Sequence, residues 1–220
     1  MQAPAIVVRW ARIPPADTNP QTARLRRAES NNLALAAAGA LLRSELPQLA
    51  VTRRCEACGS RAHGRPGLTT STAVSGGTAV PSLTVSIARG RDAAIAAVAI
   101  ADDSHEIGVD LESSSQPLSP GFADVVLGAG ERALHPMTSD SLLRTWVRKE
   151  AVLKAAGTGL RLDPRRVTLE GLNVTGGPAG PWSLVDLDLA PDLVAAVAVR
   201  CKADLDLGLD VRMKPAAMDY

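Results

Sequence analysis

The predicted order of helices and strands constrains the fold of this chain most strongly, because the same order occurs twice. A helical stretch at residues 21–46 and another at residues 121–156 are each followed by three short strands. Leu and Ala recur at helical spacing in the first stretch. Short polar turns separate the strands, without the regular alternation of strand and helix found in a doubly wound fold. We therefore predict an α+β fold with two lobes of similar size.

The lobe boundary is predicted in a polar segment that contains serine and proline, SSSQPLSP at residues 113–120. This position divides the chain into an N-terminal lobe, residues 1–112, and a C-terminal lobe, residues 113–220. Residues 59–79, rich in Gly, Ser and Thr, are predicted to form a loop. The predicted strands are residues 6–13, 81–88, 93–101, 106–112, 165–171, 182–189 and 194–201.

The composition narrows the class of protein. Hydrophobic residues make up 46% of the 220 residues and aromatic residues only 2%, so Ala, Val and Leu must fill the core. Lys and Arg total 24 against 23 Asp and Glu, a net charge of +1, which does not favour a nucleic-acid partner. No run of 18 apolar residues is present, so we expect a cytoplasmic protein without a membrane span.

Two of the three cysteines form a CxxC pair that a histidine follows. Cys55, Cys58 and His63 lie in CEACGSRAH, and thiolate and imidazole are natural zinc ligands. A fourth ligand is missing nearby, because Cys201 is distant and lies in a predicted buried strand. A turn that carries two thiols is the favoured interpretation, and a structural zinc site is the alternative.

The stretch WVRKEAVLK at residues 146–154 allows two interpretations. Glu150 and Lys154 are four residues apart, which is the favoured spacing for a surface ion pair worth only about 0.3–0.5 kcal/mol. Lys149 and Lys154 could instead contact the oxygens of a bound phosphate. The stretch alone favours the surface pair.

A second motif, GVDLE at residues 108–112, favours the phosphate site. Asp110 and Glu112 are two residues apart on a predicted strand, so both carboxylates point to the same face. Because two like charges repel, the pair is typical of a cation site, and hard oxygen ligands suit Mg²⁺. Glu150 could supply a third carboxylate.

These two motifs together resemble the 4′-phosphopantetheinyl transferases, in particular their surfactin-type branch with two lobes in one chain. The resemblance lies in residues 108–112 and 146–160 and extends to HGRP at residues 63–66, to Ser86 and to Glu131. It implies two pseudo-symmetric lobes, each a long helix packed on a small, mostly antiparallel sheet. It also implies a monomer with the active site between the lobes.

The resemblance implies a Mg²⁺-dependent transfer of 4′-phosphopantetheine from coenzyme A, the co-substrate, to a serine of an acyl or peptidyl carrier protein. Asp110, Glu112 and Glu150 would be the metal ligands. Glu150 would also be the general base, with Glu131 as second choice. The residues expected to contact coenzyme A are Arg43, Arg65, Pro66, Ser86, Lys149 and Lys154.

The chain departs from the family pattern at two positions. Ile87 stands where the family has a His that helps to hold the nucleotide phosphates, and Ala34 stands where it usually has an Arg. Two anchors for the 3′-phosphate are therefore absent. The arginines that could replace them are Arg24, Arg26, Arg27, Arg43 and Arg65.

Two other functions remain open at this point. One is a homologue that binds coenzyme A or a carrier protein without turnover. The other is a Mg²⁺-dependent phosphohydrolase that uses the same carboxylates with water as the nucleophile. The sequence also leaves the pathway open, because fatty-acid, polyketide and nonribosomal-peptide carriers would all fit.

Overall fold

The structure is a computed structural model that describes residues 5–42, 49–55, 58–70, 82–100, 105–133, 138–201 and 210–215. The helices are α1 (Pro20–Leu42), α2 (Phe122–Val126) and α3 (Ser139–Ala155), with short 3-10 helices at Gly159–Arg161 and Pro164–Arg166. The first five strands are β1 (Ala5–Arg12), β2 (Leu49–Arg54), β3 (Arg65–Thr70), β4 (Leu83–Arg89) and β5 (Ala93–Ile100). The others are β6 (His105–Ser113), β7 (Thr168–Glu170), β8 (Asn173–Gly176), β9 (Trp182–Leu187), β10 (Leu193–Cys201) and β11 (Asp210–Pro215).

The elements form four layers in the order α1, first sheet, second sheet, α3. The first sheet has the strand order β11-β1-β5-β4 and the second has the order β6-β10-β9. The pair β1 and β11 is parallel, and the other pairs in these sheets are antiparallel. The predicted fold class is confirmed: the protein is α+β with two lobes, each a long helix on a small sheet.

Small aliphatic side chains fill the three interfaces between the layers. The facing sides of the two sheets bury residues such as Ile95 and Val109. Helix α1 packs on the first sheet through alanines that include Ala34, which is completely buried. Helix α3 packs on the second sheet around Val152 and Ala196. The low aromatic content is therefore compensated by close packing of Ala, Val and Leu.

Side-chain caps begin both long helices. Pro20 occupies the first helical position of α1, and the Asn19 side chain accepts a hydrogen bond from the backbone N–H of Gln21 at 2.9 Å. For α3, Thr138 Oγ1 accepts a hydrogen bond from the backbone N–H of Ser141 at 3.2 Å. The predicted helix at residues 21–46 thus begins one residue earlier, and its last four residues lie outside the described part.

The predicted loop at residues 59–79 was wrong in part, because β3 lies inside it. Strand β3 pairs with β2, a strand that the sequence did not indicate either. Its sequence, RPGLTT, contains Pro66 and Gly67, which lower strand propensity, so the pairing with β2 decides the structure. The short strand β8 and the strand β11 were likewise not predicted. The helical stretch at residues 121–156 consists of two separate helices.

Strand pairing links the two halves of the chain. Strand β6, which ends at the predicted lobe boundary, pairs with β10 of the second sheet, and the late strand β11 pairs with β1 of the first. The boundary after residue 112 stays a prediction. Within the described residues, no helix combines the length and the apolar character needed to cross a membrane.

Candidate active site

Strand β6 and helix α3 approach each other closely at Gly108. A Cβ at this position would lie 2.1 Å from a backbone oxygen of α3, so a side chain does not fit there. Asp110 and Glu112 follow on the same face of the strand. Glu150 and Lys154 are one helical turn apart on α3. We call Asp110, Glu112 and Glu150 the acidic cluster.

Lys154 forms its ion pair with the strand. Its Nζ donates to Asp110 Oδ1 at 2.5 Å. The Asp110 side chain is 8% exposed and the Lys154 side chain 28%, so the pair lies at the edge of the interior. The contact joins α3 to β6, and it is not the ion pair along one helix face that the spacing of residues 150 and 154 allowed.

Two carboxylate oxygens of the acidic cluster are buried without a hydrogen-bond partner among the described residues. They are Oδ2 of Asp110 and Oε1 of Glu150. An ionised carboxylate oxygen buried in this way is costly, because it has lost its contact with water and gained no donor in exchange. The acidic cluster therefore needs a bound cation or added protons, because the described residues supply too little positive charge.

The pKa values of all three carboxyl groups are raised. Burial and repulsion by Asp110 and Glu150, opposed by Lys154, raise the pKa of Glu112 to about 7. Burial raises the pKa of Asp110, although Lys154 opposes it. Burial, together with repulsion by Asp110 and opposed by Lys154, raises the pKa of Glu150. Burial therefore disfavours the ionised form of each group, and the charge of Asp110 adds to this effect for Glu112 and Glu150.

This donor set fits a hard divalent cation. Three carboxylates with two partnerless buried oxygens offer the oxygen ligands that Mg²⁺ prefers, and a bound cation would relieve their repulsion. The carboxylates of the acidic cluster are, however, not as close together as the ligands of a bound metal ion. In the described part of the chain, three ligand atoms lie within 4.8 Å of one another in the group Cys55, Cys58 and His63, but not in the acidic cluster.

A cleft of about 370 Å³ opens beside Lys154. One wall comes from β3 and β4, with Arg65, Pro66, Ser86 and Ile87. The opposite wall comes from β6, the end of α3 and the segment after it, where the chain turns at a glycine. The residues that line this wall are Ile107, Lys154, Gly157, Thr158, Gly159 and Arg161.

Arg65 and Ser86 each form contacts with the opposite wall of this cleft. The Arg65 guanidinium lies 3.6 Å from Glu106 and donates weakly to the backbone oxygen of Ala155 at 3.5 Å. Ser86 Oγ is buried and accepts a hydrogen bond from the backbone N–H of Val109 at 3.0 Å. Four predicted residues, Arg65, Pro66, Ser86 and Lys154, therefore line one cleft.

The part of the chain that runs from β6 to β10 is similar to a known family. Residues 106–195 match the model of the 4′-phosphopantetheinyl transferase superfamily. The match covers 90 of the 220 residues and includes the whole acidic cluster and Lys154. It supports the superfamily and a transferase activity. No curated protein matches the chain.

The structure gives two residues of the predicted transferase site another position. Lys149 is fully buried, and its Nζ donates to Glu131 Oε2 at 2.5 Å and to the backbone oxygen of Val126 at 2.8 Å. Glu131 also accepts the backbone N–H groups of Gly128 and Leu169, both at 3.0 Å. Through these bonds, the segment at residues 127–131 is held against α3 by Lys149 and against β7 by Leu169.

The predicted roles of Lys149 as a phosphate contact and of Glu131 as the second-choice base therefore do not fit their surroundings. Burial lowers the pKa of Lys149, and Glu131 opposes this shift. Neither residue lines the cleft. The helical spacing placed Lys149 one residue from Glu150, but it could not tell which face of α3 each side chain occupies. Both residues lie outside the candidate active site.

Three arginines gather on the α1 side of the first sheet. Arg27 comes from α1, Arg53 from β2 and Arg89 from β4. Arg53 donates to the side chain of Asn31 at 3.0 Å and Arg89 to that of Ser30 at 2.9 Å. We call the three residues the arginine cluster.

The arginine cluster carries positive charge that no described carboxylate neutralises through an ion pair. Burial first, and then repulsion by Arg27, lower the pKa values of both Arg53 and Arg89. Arg89 lies two residues after Ile87 on β4, which puts it on the same face of the strand, about 7 Å further along. The arginine cluster is thus a candidate anion site.

Sequence reasoning missed most of these basic residues. Arg53 and Arg89 could not be predicted as site residues, because charged residues near the ends of strands have no characteristic spacing in the sequence. Arg26 is buried and donates to the backbone oxygens of Arg91 and Gly90 at 2.7 and 2.5 Å, which leaves it a structural role. Arg24 is exposed. Arg43, expected to contact coenzyme A, lies outside the described residues.

Proposed function

We propose that this chain is a 4′-phosphopantetheinyl transferase of the surfactin-type branch, which moves the 4′-phosphopantetheine arm of coenzyme A onto a serine of a carrier protein. One observation carries the proposal. An acidic cluster paired with Lys154 lies at the edge of a cleft, in the segment that matches the superfamily. The presence of two lobes in one chain supports the surfactin-type branch and a monomer.

The cleft suits a donor that carries phosphates at one end and an uncharged arm at the other. Lys154 and Arg161 on one wall and Arg65 on the other offer positive charge to a pyrophosphate. Ile87, Val85 and Ile107 give the same cleft an apolar surface. Lys154 would act as a point charge on a pyrophosphate oxygen. Its ammonium group would either leave Asp110 for the substrate or donate hydrogen bonds to both.

Asp110, Glu112 and Glu150 would hold the Mg²⁺ of the proposed reaction. When bound, Mg²⁺ supplies positive charge against the pyrophosphate and its leaving group. The three side chains would then be ionised together, because the charge of the cation opposes the burial and the repulsion that raise their pKa values. The two buried oxygens without partners are the observation that supports this assignment.

Glu150 is the proposed general base. A carboxylate has two oxygens, so one oxygen of Glu150 can bind the cation while the other accepts the serine proton. The serine proton would move to Glu150 as the serine oxygen bonds to the β-phosphorus. The bond from that phosphorus to the bridging oxygen breaks, and adenosine 3′,5′-bisphosphate leaves with its electron pair.

A second hollow indicates where the acceptor serine would approach. It has a volume of about 210 Å³, and Glu112 forms part of its wall together with Gln116, Leu118 and Phe122. Lys154 lines the first cleft and Glu112 the second, so the acidic cluster lies between the two. We propose that the donor occupies the cleft and that the carrier serine enters from the hollow.

Incubation of the protein with coenzyme A, Mg²⁺ and a purified apo carrier domain tests the proposal. We expect a mass gain of one phosphopantetheine arm on the carrier, which a Ser→Ala carrier does not show. A stable complex without a mass gain would support a binding homologue instead. Cleavage of coenzyme A without the carrier would support a phosphohydrolase. Parallel assays with fatty-acid, polyketide and peptide carriers would identify the substrate class.

A further inference from the structure

A second group of metal-binding side chains lies in the turn between β2 and β3. Cys55, Cys58 and His63 bring one ligand atom each to within 4.8 Å of one another. The Sγ of Cys58 lies 3.4 Å from Nε2 of His63. Bonds of about 2.3 Å to sulfur and about 2.0 Å to nitrogen would place the ligand atoms of a tetrahedral zinc site about 3.5–3.8 Å apart. The three atoms are therefore close to the separations that such a site requires.

We propose that Cys55, Cys58 and His63 bind one Zn²⁺ ion, with a water molecule as the fourth ligand. Two thiolates and a neutral imidazole form a soft donor set that selects zinc over magnesium. Their charges also balance, because two thiolates neutralise one Zn²⁺. Cys58 and His63 are exposed, so solvent can reach the fourth position. The acidic cluster has only oxygen donors and would not compete for this ion.

The turn already has the shape that brings the three ligands together. The backbone N–H of Cys55 donates to the oxygen of Ser60 at 2.9 Å, and that of Gly59 donates to the oxygen of Cys55 at 2.8 Å. Ser60 Oγ accepts the N–H of Ala62 at 3.1 Å. Arg27 of α1 donates to the backbone oxygen of Ala62. The chain thus folds back on itself through hydrogen bonds next to the ligands, as outer partners do in metal sites.

The proposed zinc site is adjacent to the cleft. Gly64 follows His63 with φ of 109°, and a Cβ there would lie 2.3 Å from the backbone oxygen of Arg54. A side chain at residue 64 would therefore push the turn away from β2. Arg65, next in the chain, lines the cleft together with Cys55. Zinc would fasten the turn that carries one wall of the cleft, whatever reaction the cleft supports.

Metal analysis of the purified full-length chain tests the proposal. After reconstitution with Zn²⁺ and dialysis against metal-free buffer, we expect about one zinc per chain in the wild type. The Cys58→Ser and His63→Ala variants should each retain less than about a tenth of this amount. Arg61→Ala is the matched control, since Arg61 is exposed in the same turn and is not a ligand. Equal zinc content in all four proteins, or none in the wild type after reconstitution, would overturn the proposal.

Two measurements on the wild type need no variant. Replacement of zinc by Co²⁺ should give the charge-transfer absorption of cobalt bound to thiolates. Zinc should also protect two of the three cysteines from a thiol reagent, and a chelator should restore their reactivity. Unchanged thiol reactivity with and without zinc would contradict the site. None of these readouts depends on the transferase reaction, so the two proposals can fail separately.

Discussion

The ammonium group of Lys154 and the carboxylate of Asp110 are 2.5 Å apart, one from the second long helix and one from the strand that faces it. The pair connects the cleft to the acidic cluster. Lys154 lines the cleft, whereas Asp110 is buried and repels both Glu112 and Glu150. Lys154 therefore lines the cleft proposed to bind the substrate phosphates and also forms an ion pair with the acidic cluster proposed to bind a metal ion.

Replacement of Lys154 by Ala should lower kcat by about 100-fold or more, because a charge-assisted contact to the reacting phosphate is lost in a partly desolvated site. Steady-state transfer assays would measure this loss. Arg144→Ala is the matched control on the same helix, since Arg144 pairs with Asp140 and Asp186 at the surface. A Lys154→Ala variant as fast as the control would show that Lys154 is a structural residue only.

The neutral substitutions Asp110→Asn, Glu112→Gln and Glu150→Gln should each lower transfer at limiting Mg²⁺ by about 100-fold or more, because each removes a ligand charge. In metal-free buffer, Glu112→Gln and Glu150→Gln should unfold at the same denaturant concentration as the wild type or a higher one, because less repulsion remains. Glu170→Gln, an exposed position on β7, is the control. Near-normal turnover in any of the three would exclude that residue as a ligand.

The stability of the metal-free protein should fall as the pH rises from about 4.5 to 7. The pKa of Glu112 is raised to about 7, so its carboxyl group stays protonated in the folded chain but ionises in the unfolded chain above about 4.5. Its contribution is complete below pH 4.5 and is lost as the pH passes 7, on the order of 1–3 kcal/mol. Denaturant titrations with a chelator would measure the slope. Glu112→Gln should flatten it, and a wild type with the same slope as this variant would contradict the prediction.

The cleft at Lys154 and the hollow at Glu112 predict opposite effects for two bulky substitutions. Gln116→Trp should fill the hollow at Glu112 and raise the KM for the carrier by tenfold or more, with little change in the KM for coenzyme A. Thr158→Trp should do the reverse, because Thr158 lines the cleft. Steady-state kinetics with each substrate varied in turn would measure both. If Gln116→Trp raised both KM values equally, the separate entry of the acceptor would be wrong.

The fold class followed from the sequence because the helix and the three strands occur twice, and each element carries its own periodicity. The shared face of Asp110 and Glu112 followed from the alternation of side chains along a strand. The sequence could not reveal the partners of Lys149, because the Glu131 carboxylate that binds it lies in an irregular segment. The strand β3 depends on pairing with β2, and the arginine cluster depends on the packing of three elements. These features arise from tertiary contacts that local spacing does not encode.

The arginine cluster predicts how the chain distinguishes coenzyme A from its 3′-dephospho form. Ile87 and Ala34 cannot bind a phosphate, and Ala34 is completely buried in the core. Arg89 lies on the same face of β4 as Ile87, where Arg27 repels its positive charge, Arg89 in turn repels Arg53, and no described carboxylate forms an ion pair with it. A 3′-phosphate at this position would relieve the repulsion. We therefore expect the wild type to prefer coenzyme A, through arginines that replace the missing anchors.

Arg89→Gln should reduce this preference by about tenfold or more, because one charge-assisted hydrogen bond is worth about 1.5–3 kcal/mol and a factor of ten corresponds to about 1.4 kcal/mol. The measurement is kcat/KM for coenzyme A and for 3′-dephospho-coenzyme A with one carrier protein. Only the value for coenzyme A should fall, since the dephospho form has no 3′-phosphate for Arg89 to contact. Arg24→Gln, an exposed position on α1, should leave the ratio unchanged. Near-equal use of the two donors by the wild type would instead mean that the anchors lost at Ile87 and Ala34 have no replacement, and equal losses for both donors in Arg89→Gln would give Arg89 a structural role.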